Sequence, residues 1–309
     1  MKVFAIIVIY NGMRNNWIQK CFDSVINSSI PVQIIAIDNG SNDGSVAFIQ
    51  KNYPQIEFII SKENLGFGKA NNIGFEKALE LGGKYFFLLN QDARVDTDTI
   101  EKLVLQSEKN PQYAVISPIH LNGKGDALDY NFSHYITPNF CKNLYSDFVV
   151  QKLKDTVYES DFICAAAWLV TKESLRVIGG FSPVFYHYGE DDNYVNRLKF
   201  SKLKIGVYPK VSIYHDREER QGGVLKDKEF NRTKSVLLNN SNPLKKQDIA
   251  KKIQTLSFKI IVRKIFSRGT ILEDMQLEKK VLIKFKDQIE ENNKISLSND
   301  EYKFLNIKH

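Results

Sequence analysis

Residues 85 to 96 read YFFLLNQDARVD. Tyr85 to Leu89 suit a strand buried on both faces, yet the run breaks at once into Asn90, Gln91 and Asp92. A solvated turn needs no such apolar approach, whereas a ligand or metal site at the edge of a sheet does. The stretch decides the fold because its neighbours repeat it. KVFAIIVIY (2–10), VQIIAID (32–38) and IEFIIS (56–61) precede it as strand patterns, and YAVISP (113–118) follows as a fifth. Helical lengths separate them: Asn15 to Ser28, VAFIQKN, Phe67 to Leu81, and Thr97 to Lys109. Near-continuous apolar strands alternating with helices predict an α/β fold with a parallel sheet covered on both faces. Such a sheet takes its ligands at the carboxyl ends of the strands. Those ends carry Tyr10-Asn11, Asp38-Asn39-Gly40-Ser41, Asn64-Leu65-Gly66 and Asn90-Gln91-Asp92. Taken alone, Asp38 in DNGSNDG reads equally well as a turn residue or helix cap. Four polar ends in succession favour a binding edge.

The 309 residues, 43% hydrophobic and 26% charged, have the composition of an ordinary soluble globular protein. They suffice for one large domain or one domain with an appendage. The longest apolar runs, VFAIIVIY and FICAAAWLV, fall far short of the ~20 residues that span a bilayer. The first leads into NGMRNN without a small-residue cleavage site, so it is expected to be a first strand and not a signal peptide. Cys21, Cys141 and Cys164 are odd in number and form no Cys-x-x-Cys pair. They fit a reducing, cytoplasmic compartment and exclude a cysteine zinc site. The net charge of +7 is concentrated: Lys245 to Arg268 holds eight basic residues and one acidic, Asp248, which leaves the remainder neutral. A general nucleic-acid binder does not distribute its charge in this way, and no nucleic-acid partner is expected.

VIYN, AIDNGSNDGS, ENLGFGKANNIGF and FLLNQDARV, in this order and spacing, resemble the donor half of a family-2 glycosyltransferase with the GT-A fold. GGFSPVFYHYGEDDNYVNRL resembles the acceptor-side segment of that family, in particular its rhamnosyltransferase-like branch. The resemblance covers about residues 2 to 217. It implies a mostly parallel central sheet flanked by helices. The expected organisation is a glycosyltransferase domain over 1–240, its donor half ending near 120 and its acceptor half running from 121. A basic helical extension over 241–309 follows.

By resemblance, Asp38 takes the imide N–H of uracil or thymine, and Ile9, Tyr10 and Asn11 hold base and ribose. Asn39, Ser41, Asn64, Gly66, Phe67, Asn71, Asn90 and Gln91 complete the donor edge. The segment NLGFGKANN opens a helix whose free N–H groups suit a diphosphate or sugar hydroxyls. Its Gly66-x-Gly68 follows the third strand and lacks a third glycine, so it makes a poor dinucleotide fingerprint. The family's Asp-x-Asp motif becomes Asn90-Gln91-Asp92 here. Asp92 therefore matches the carboxylate that binds a divalent cation, Mn²⁺ or Mg²⁺, bridging the sugar nucleotide's phosphates. The loss of one carboxylate puts strict metal dependence in question. His215, in VSIYHDR, stands where the family often places a histidine near the metal, and an imidazole favours Mn²⁺. Arg217 and Arg220 follow in a loop able to close on the diphosphate, or simply solvated. In GEDDNYVNRL the match makes Asp191 the catalytic base and Glu190 a second carboxylate on the acceptor side. Without the donor motifs, the same acids would only complement a helix N-terminus. Asn193 occupies a position where many relatives carry another Asp.

The implied activity is inverting transfer of rhamnose or another hexose from a dTDP- or UDP-linked donor to a glycan or lipid-linked glycan in bacterial surface polysaccharide assembly. A sugar-nucleotide binder without transferase activity is the first alternative, permitted by Asn90 and Asn193. A membrane-surface interaction protein is the second, and it leaves the polar strand ends unexplained. Residues 121–160 are polar and aromatic without a clear period, as expected of an acceptor pocket. In the last segment Ile249, Ile253, Leu256 and Ile260 form a helical stripe, widened by Phe258, Ile261 and Ile265. Lys252, Lys259 and Arg263 flank it. The stripe suits either a helix packed on the domain or a peripheral anchor to an anionic membrane through residues 245–268.

Overall fold

The structure is a computed structural model that describes residues 2–217, 228–245, 247–266 and 270–307. In chain order the first elements are β1 (Val3–Ile9), α1 (Trp17–Ile26), β2 (Val32–Asn39), α2 (Ser45–Asn52), β3 (Glu57–Ser61), α3 (Phe67–Glu80) and β4 (Tyr85–Leu89). Then follow β5 (Ala93–Val95), α4 (Thr99–Lys109), β6 (Tyr113–Asn122), α5 (Tyr130–Tyr135), α6 (Leu144–Val149), β7 (Tyr158–Ser160), β8 (Ala167–Thr171) and α7 (Lys172–Ile178). The last are α8 (Glu190–Phe200), β9 (Lys204–His215), α9 (Lys228–Asn240), α10 (Ile249–Phe266) and α11 (Thr270–Leu297).

The sheet runs β3-β2-β1-β4-β8-β6-β9-β5, with β7 also paired to β9. Its first four strands are parallel, as their apolar runs predict. Alternate residues of β1 face opposite cores. Val3, Ala5, Ile7 and Ile9 pack with α1, α2 and α4, while Phe4 and Ile6 pack with α3, α7 and α8. Both faces are thus covered, which is why the strands read as continuous hydrophobic segments. Beyond β4 the sheet is mixed: β8 enters antiparallel between β4 and β6, and the three-residue β5 pairs antiparallel with β9. Periodicity cannot register a three-residue strand, and strand order is set by contacts distant in sequence. Residues 121–160 likewise contain two single-turn helices, α5 and α6, too short to show a period.

The last three helices form a separate apolar cluster. Leu237 of α9, Ile249 and Leu256 of α10, and Leu282 and Ile289 of α11 pack around Val184 and Phe185, which precede α8. The chain then returns to the sheet's helical layer. Lys303 O accepts from Gly180 N at 2.8 Å, and Phe304 O from Asn72 Nδ2 at 3.2 Å. Gly179, at φ +78°, lies where a Cβ would stand 2.0 Å from Lys303 O, so only glycine permits this approach. The stripe Ile249, Ile253, Leu256 and Ile260 is therefore turned inward, which corrects its use as a membrane-facing surface. Lys252 goes with it, bound to Glu278 of α11 at 2.8 Å. Phe258 and Ile261 do not widen the stripe; they point outward, 68% and 61% exposed.

Candidate active site

Parallel register aligns the strand ends. Ile9 lies opposite Asp38, and Asp38 opposite Ile60, so the residues that follow share one edge. At this edge, polar side chains shape the loops. Asn11 adopts φ +49°; its N–H donates to Ser41 Oγ at 3.0 Å, and its Oδ1 accepts from Asn42 N at 2.9 Å. Gln91 clamps Tyr10, accepting from its N–H at 3.0 Å and donating to its carbonyl at 2.9 Å. Tyr10 itself remains exposed. Asn39 Oδ1 accepts from Leu65 N at 2.8 Å, and Asn64 Oδ1 accepts from Gly66 N at 2.9 Å. Gly66 sits at φ +82°, with a built Cβ only 1.9 Å from Tyr186 O, and the Tyr186 hydroxyl donates to Asn64 O at 3.0 Å. The loop after β3 is thereby tied to the segment entering α8. Asn71 is buried on α3 and donates to Phe67 O at 2.9 Å, so its amide serves the helix.

Asp38 is 1% exposed. Its Oδ2 accepts from Gly40 N at 3.2 Å and Ser41 N at 3.1 Å, while Oδ1 is buried with no hydrogen-bond partner among the described residues. One oxygen closes the turn, as the turn reading expects, and the other has no partner among the described residues. A buried carboxylate oxygen without a partner costs free energy that a ligand donor recovers.

On the other side of β4, the pairing of Ala93 with His215 brings Asp92 beside the histidine. Asp92 Oδ1 lies 3.3 Å from His215 Nε2, and Asn90 Nδ2 is 3.3 Å from the same nitrogen. His215 Nδ1 lies 3.4 Å from Asp129 Oδ2, which also accepts from Arg217 Nε at 2.6 Å. Burial disfavours both charged forms here. The attraction between Asp92 and His215, aided by Asp129, outweighs it and holds the carboxyl low and the imidazole high. Asp129 was not singled out from sequence; its visible signal, an acid before an aromatic helix, is that of an N-cap, which it also is, accepting from Phe132 N at 2.9 Å. Arg217 turns toward Asp129 in this structure. Arg220 lies outside the described residues.

Glu190 and Asp191 open α8 behind Gly189, at φ +105°. Glu190 is buried, and its Oε2 has no partner among the described residues. Asp191 is half-buried. Burial first, then the neighbouring carboxylates, raises both groups above the ordinary carboxylate range, against the pull of Lys234. That lysine, on α9, binds Asp192 Oδ2 at 2.8 Å and also escaped the sequence reading. Asn193 is buried. Its amide donates to Ser241 O at 3.0 Å, and its carbonyl accepts from Arg197 Nε at 3.1 Å. Among the described residues no group of three or more His, Cys, Asp or Glu is placed to hold a metal ion.

Comparisons with known proteins bear on the fold and the family. The fold is that of GT-A glycosyltransferases: a crystal structure of GalNAc-T7 with UDP, GalNAc and Mn²⁺ superposes with TM-score 0.60 at 15% identity, covering 91% of this chain and 54% of that one. The dTDP-rhamnosyl transferase RfbF of Shigella flexneri is 23% identical over 221 residues, 69% of this chain and 68% of that protein. The N-acetylglucosaminyl-diphospho-decaprenol L-rhamnosyltransferase of Mycobacterium tuberculosis is 22% identical over 212 residues, 62% of this chain and 69% of its own length. The family model "Glycosyl transferase family 2" matches residues 4–179, more than half of the sequence, and the chain belongs to that family of glycosyltransferases.

Proposed function

We propose that this glycosyltransferase moves rhamnose or another hexose from a dTDP- or UDP-linked donor to a hydroxyl of a glycan or lipid-linked glycan, with inversion, in surface polysaccharide assembly. The observation that carries the donor assignment is the unpartnered, buried Oδ1 of Asp38 at the carboxyl end of β2. Uracil and thymine each present an imide N–H that such an oxygen accepts. The names of the relatives, a dTDP-rhamnosyl transferase and a rhamnosyltransferase acting on a diphospho-decaprenol compound, support the sugar and the acceptor class.

In this reading Tyr10 and Asn11 border the base and ribose, and the opening of α3 after Gly66 faces the diphosphate. Asp191 takes the proton of the acceptor hydroxyl as its oxygen attacks the anomeric carbon; the bond from that carbon to the diphosphate breaks, and its electron pair leaves with the phosphate. Glu190 holds the acceptor. The raised Asp191 carboxyl makes it a stronger base once ionised, as this step requires.

A divalent cation would be held by Asp92 and His215, a carboxylate and an imidazole 3.3 Å apart, once the imidazole had released the proton that Asp92 favours, with phosphate oxygens of the donor as further ligands. The imidazole favours Mn²⁺ over Mg²⁺. When bound, the ion neutralises charge on the departing diphosphate. Asp129, against the far nitrogen of His215, orients the ring. The test is product formation from dTDP-rhamnose and UDP-hexoses with lipid-linked and free glycan acceptors, in the wild type and in Asp191→Asn. No transfer with any dTDP- or UDP-sugar would reject the donor class.

A further inference from the structure

The structure gives α10 two apolar faces where an amphipathic surface helix has one. Ile249 and Leu256 are buried in the C-terminal helical cluster, and Ile260 is buried on the same side of the helix. On the opposite side Phe258, Ile261 and Val262 are 68%, 61% and 36% exposed, at the i, i+3, i+4 spacing of a single face. Lys251 and Lys259 border them and are exposed; Arg263 and Lys264 follow in the next turn. Among the described residues no carboxylate pairs with any of these four cations, whereas Lys252, on the inner side, is bound to Glu278. An outer face of this kind, with three large apolar side chains flanked by exposed lysines, Lys251 and Lys259, that no carboxylate pairs among the described residues, serves neither the fold nor the transfer site.

We propose that this outer face of α10 docks on an anionic lipid surface. Charge selects the occupant. The segment from Lys245 to Arg268 carries a net +7 while the rest of the chain is neutral. A second copy placed face to face would bring two such segments together, and like charges at an interface repel. An anionic bilayer attracts them instead, and accepts Phe258 and Ile261 between its headgroups while the lysine stems lie along the boundary. No helix among the described residues is long and apolar enough to cross a membrane.

The experiment is sedimentation of the full-length protein with vesicles of phosphatidylcholine, with and without phosphatidylglycerol. Wild type should pellet with the phosphatidylglycerol vesicles at low salt and leave them at high salt. Lys251→Glu/Lys259→Glu should weaken partitioning by roughly fivefold or more per lysine, and Phe258→Ser/Ile261→Ser should weaken it with lysines intact. Both pairs are exposed, so folding is retained and is checked by thermal melting. Lys51→Glu/Lys109→Glu, the same charge change on exposed sites elsewhere, should bind as wild type does. Equal loss in that control, equal binding to neutral vesicles, or unchanged binding in both outer-face variants overturns the proposal. So does a change of oligomeric state in those variants without any vesicle binding by wild type, which would assign the face to a second copy. Binding is read without any transfer reaction, so the result stands apart from the donor and acceptor assignments.

Discussion

Replacing Asp38 by asparagine tests the donor site with little disturbance to the fold. Its Oδ2 accepts from two backbone N–H groups, of Gly40 and Ser41, at 3.2 and 3.1 Å. Those two donors fix the orientation of an amide at this position, because turning it over would set its NH₂ against both of them. The carbonyl therefore stays on the turn, and the NH₂ takes the place of the buried, unpartnered Oδ1. An acceptor has become a donor, facing an imide N–H that is itself a donor. Loss of a charge-assisted hydrogen bond costs about 1.5–3 kcal/mol, which corresponds to roughly 10- to 150-fold in affinity. Cytosine presents an unprotonated ring nitrogen at the equivalent position, so CDP should lose far less, or gain. Titration calorimetry with dTDP, UDP and CDP at one fixed Mn²⁺ concentration reads all three. If Asp38→Asn binds dTDP and UDP within about threefold of wild type, with CDP unchanged, this carboxylate does not read the base. A melting temperature close to wild type guards against the trivial explanation.

Asp191→Asn should lower kcat by ~10²–10⁴ while calorimetry shows donor affinity nearly unchanged; transfer within a few-fold of wild type moves the base to Glu190 or Asp192. Asp92→Ala should weaken nucleotide diphosphate binding and abolish its response to Mn²⁺ or Mg²⁺, and an equal metal response in both proteins would remove Asp92 from the metal site. The acid limb of the kcat/KM profile should lie near pH 6, where the raised Asp191 carboxyl titrates, since the base must be ionised to accept a proton; a limb near pH 4 would point to an unperturbed carboxylate. The same upward shifts mean that the folded protein holds these protons more tightly than the unfolded chain. The contribution of Glu190 and Asp191 to stability is therefore fully present at low pH and lost as pH rises through their folded values, and Glu190→Gln should flatten that decline in urea melts.

What the sequence makes legible follows from locality. β1, β2 and β4 declare themselves because a strand buried on both faces is apolar throughout, and Asp38 and Asp92 stand out because each ends such a run; β3, at the sheet edge, is only partly buried. His215 is different. Its place beside Asp92 depends on β5 pairing with β9, Ala93 opposite His215, across more than 100 residues of chain. Asp129 is more hidden still, since it reads as a helix cap and acquires its contact with His215 only through the fold. Periodicity also found the inner stripe of α10, yet it could not separate that stripe from Phe258 and Ile261. An arc of apolar residues wide enough to reach both faces looks the same whether one side or both are covered.

The position of Asn193 ties these threads to the part of the chain that the family model does not reach. An aspartate there would be a fourth acid after Glu190, Asp191 and Asp192, where burial and mutual repulsion already raise the carboxyls of Glu190 and Asp191. The asparagine does something an ionised aspartate cannot: it donates to Ser241 O while accepting from Arg197. Ser241 O accepts in turn from Asn292 of α11, and Asn292 Oδ1 accepts from Ser182 Oγ, in the segment leading to α8. Arg197 completes the brace, donating to the carbonyls of Ile178 and Gly180 at 2.6 Å and stacking its cation 4.8 Å from the ring centre of Phe304. The helix that presents Glu190 and Asp191 is therefore held by α9, α11 and the returning tail. Removal of the chain after about residue 240 would take Ser241 O from the Asn193 amide, at ~1–3 kcal/mol for a buried group left unpaired. It would also take the Phe304 ring from Arg197, whose hydrogen bonds to Asn193, Ile178 and Gly180 would remain. Asn193 thus has a structural role, and the C-terminal helices support α8 as much as they serve any surface they contact.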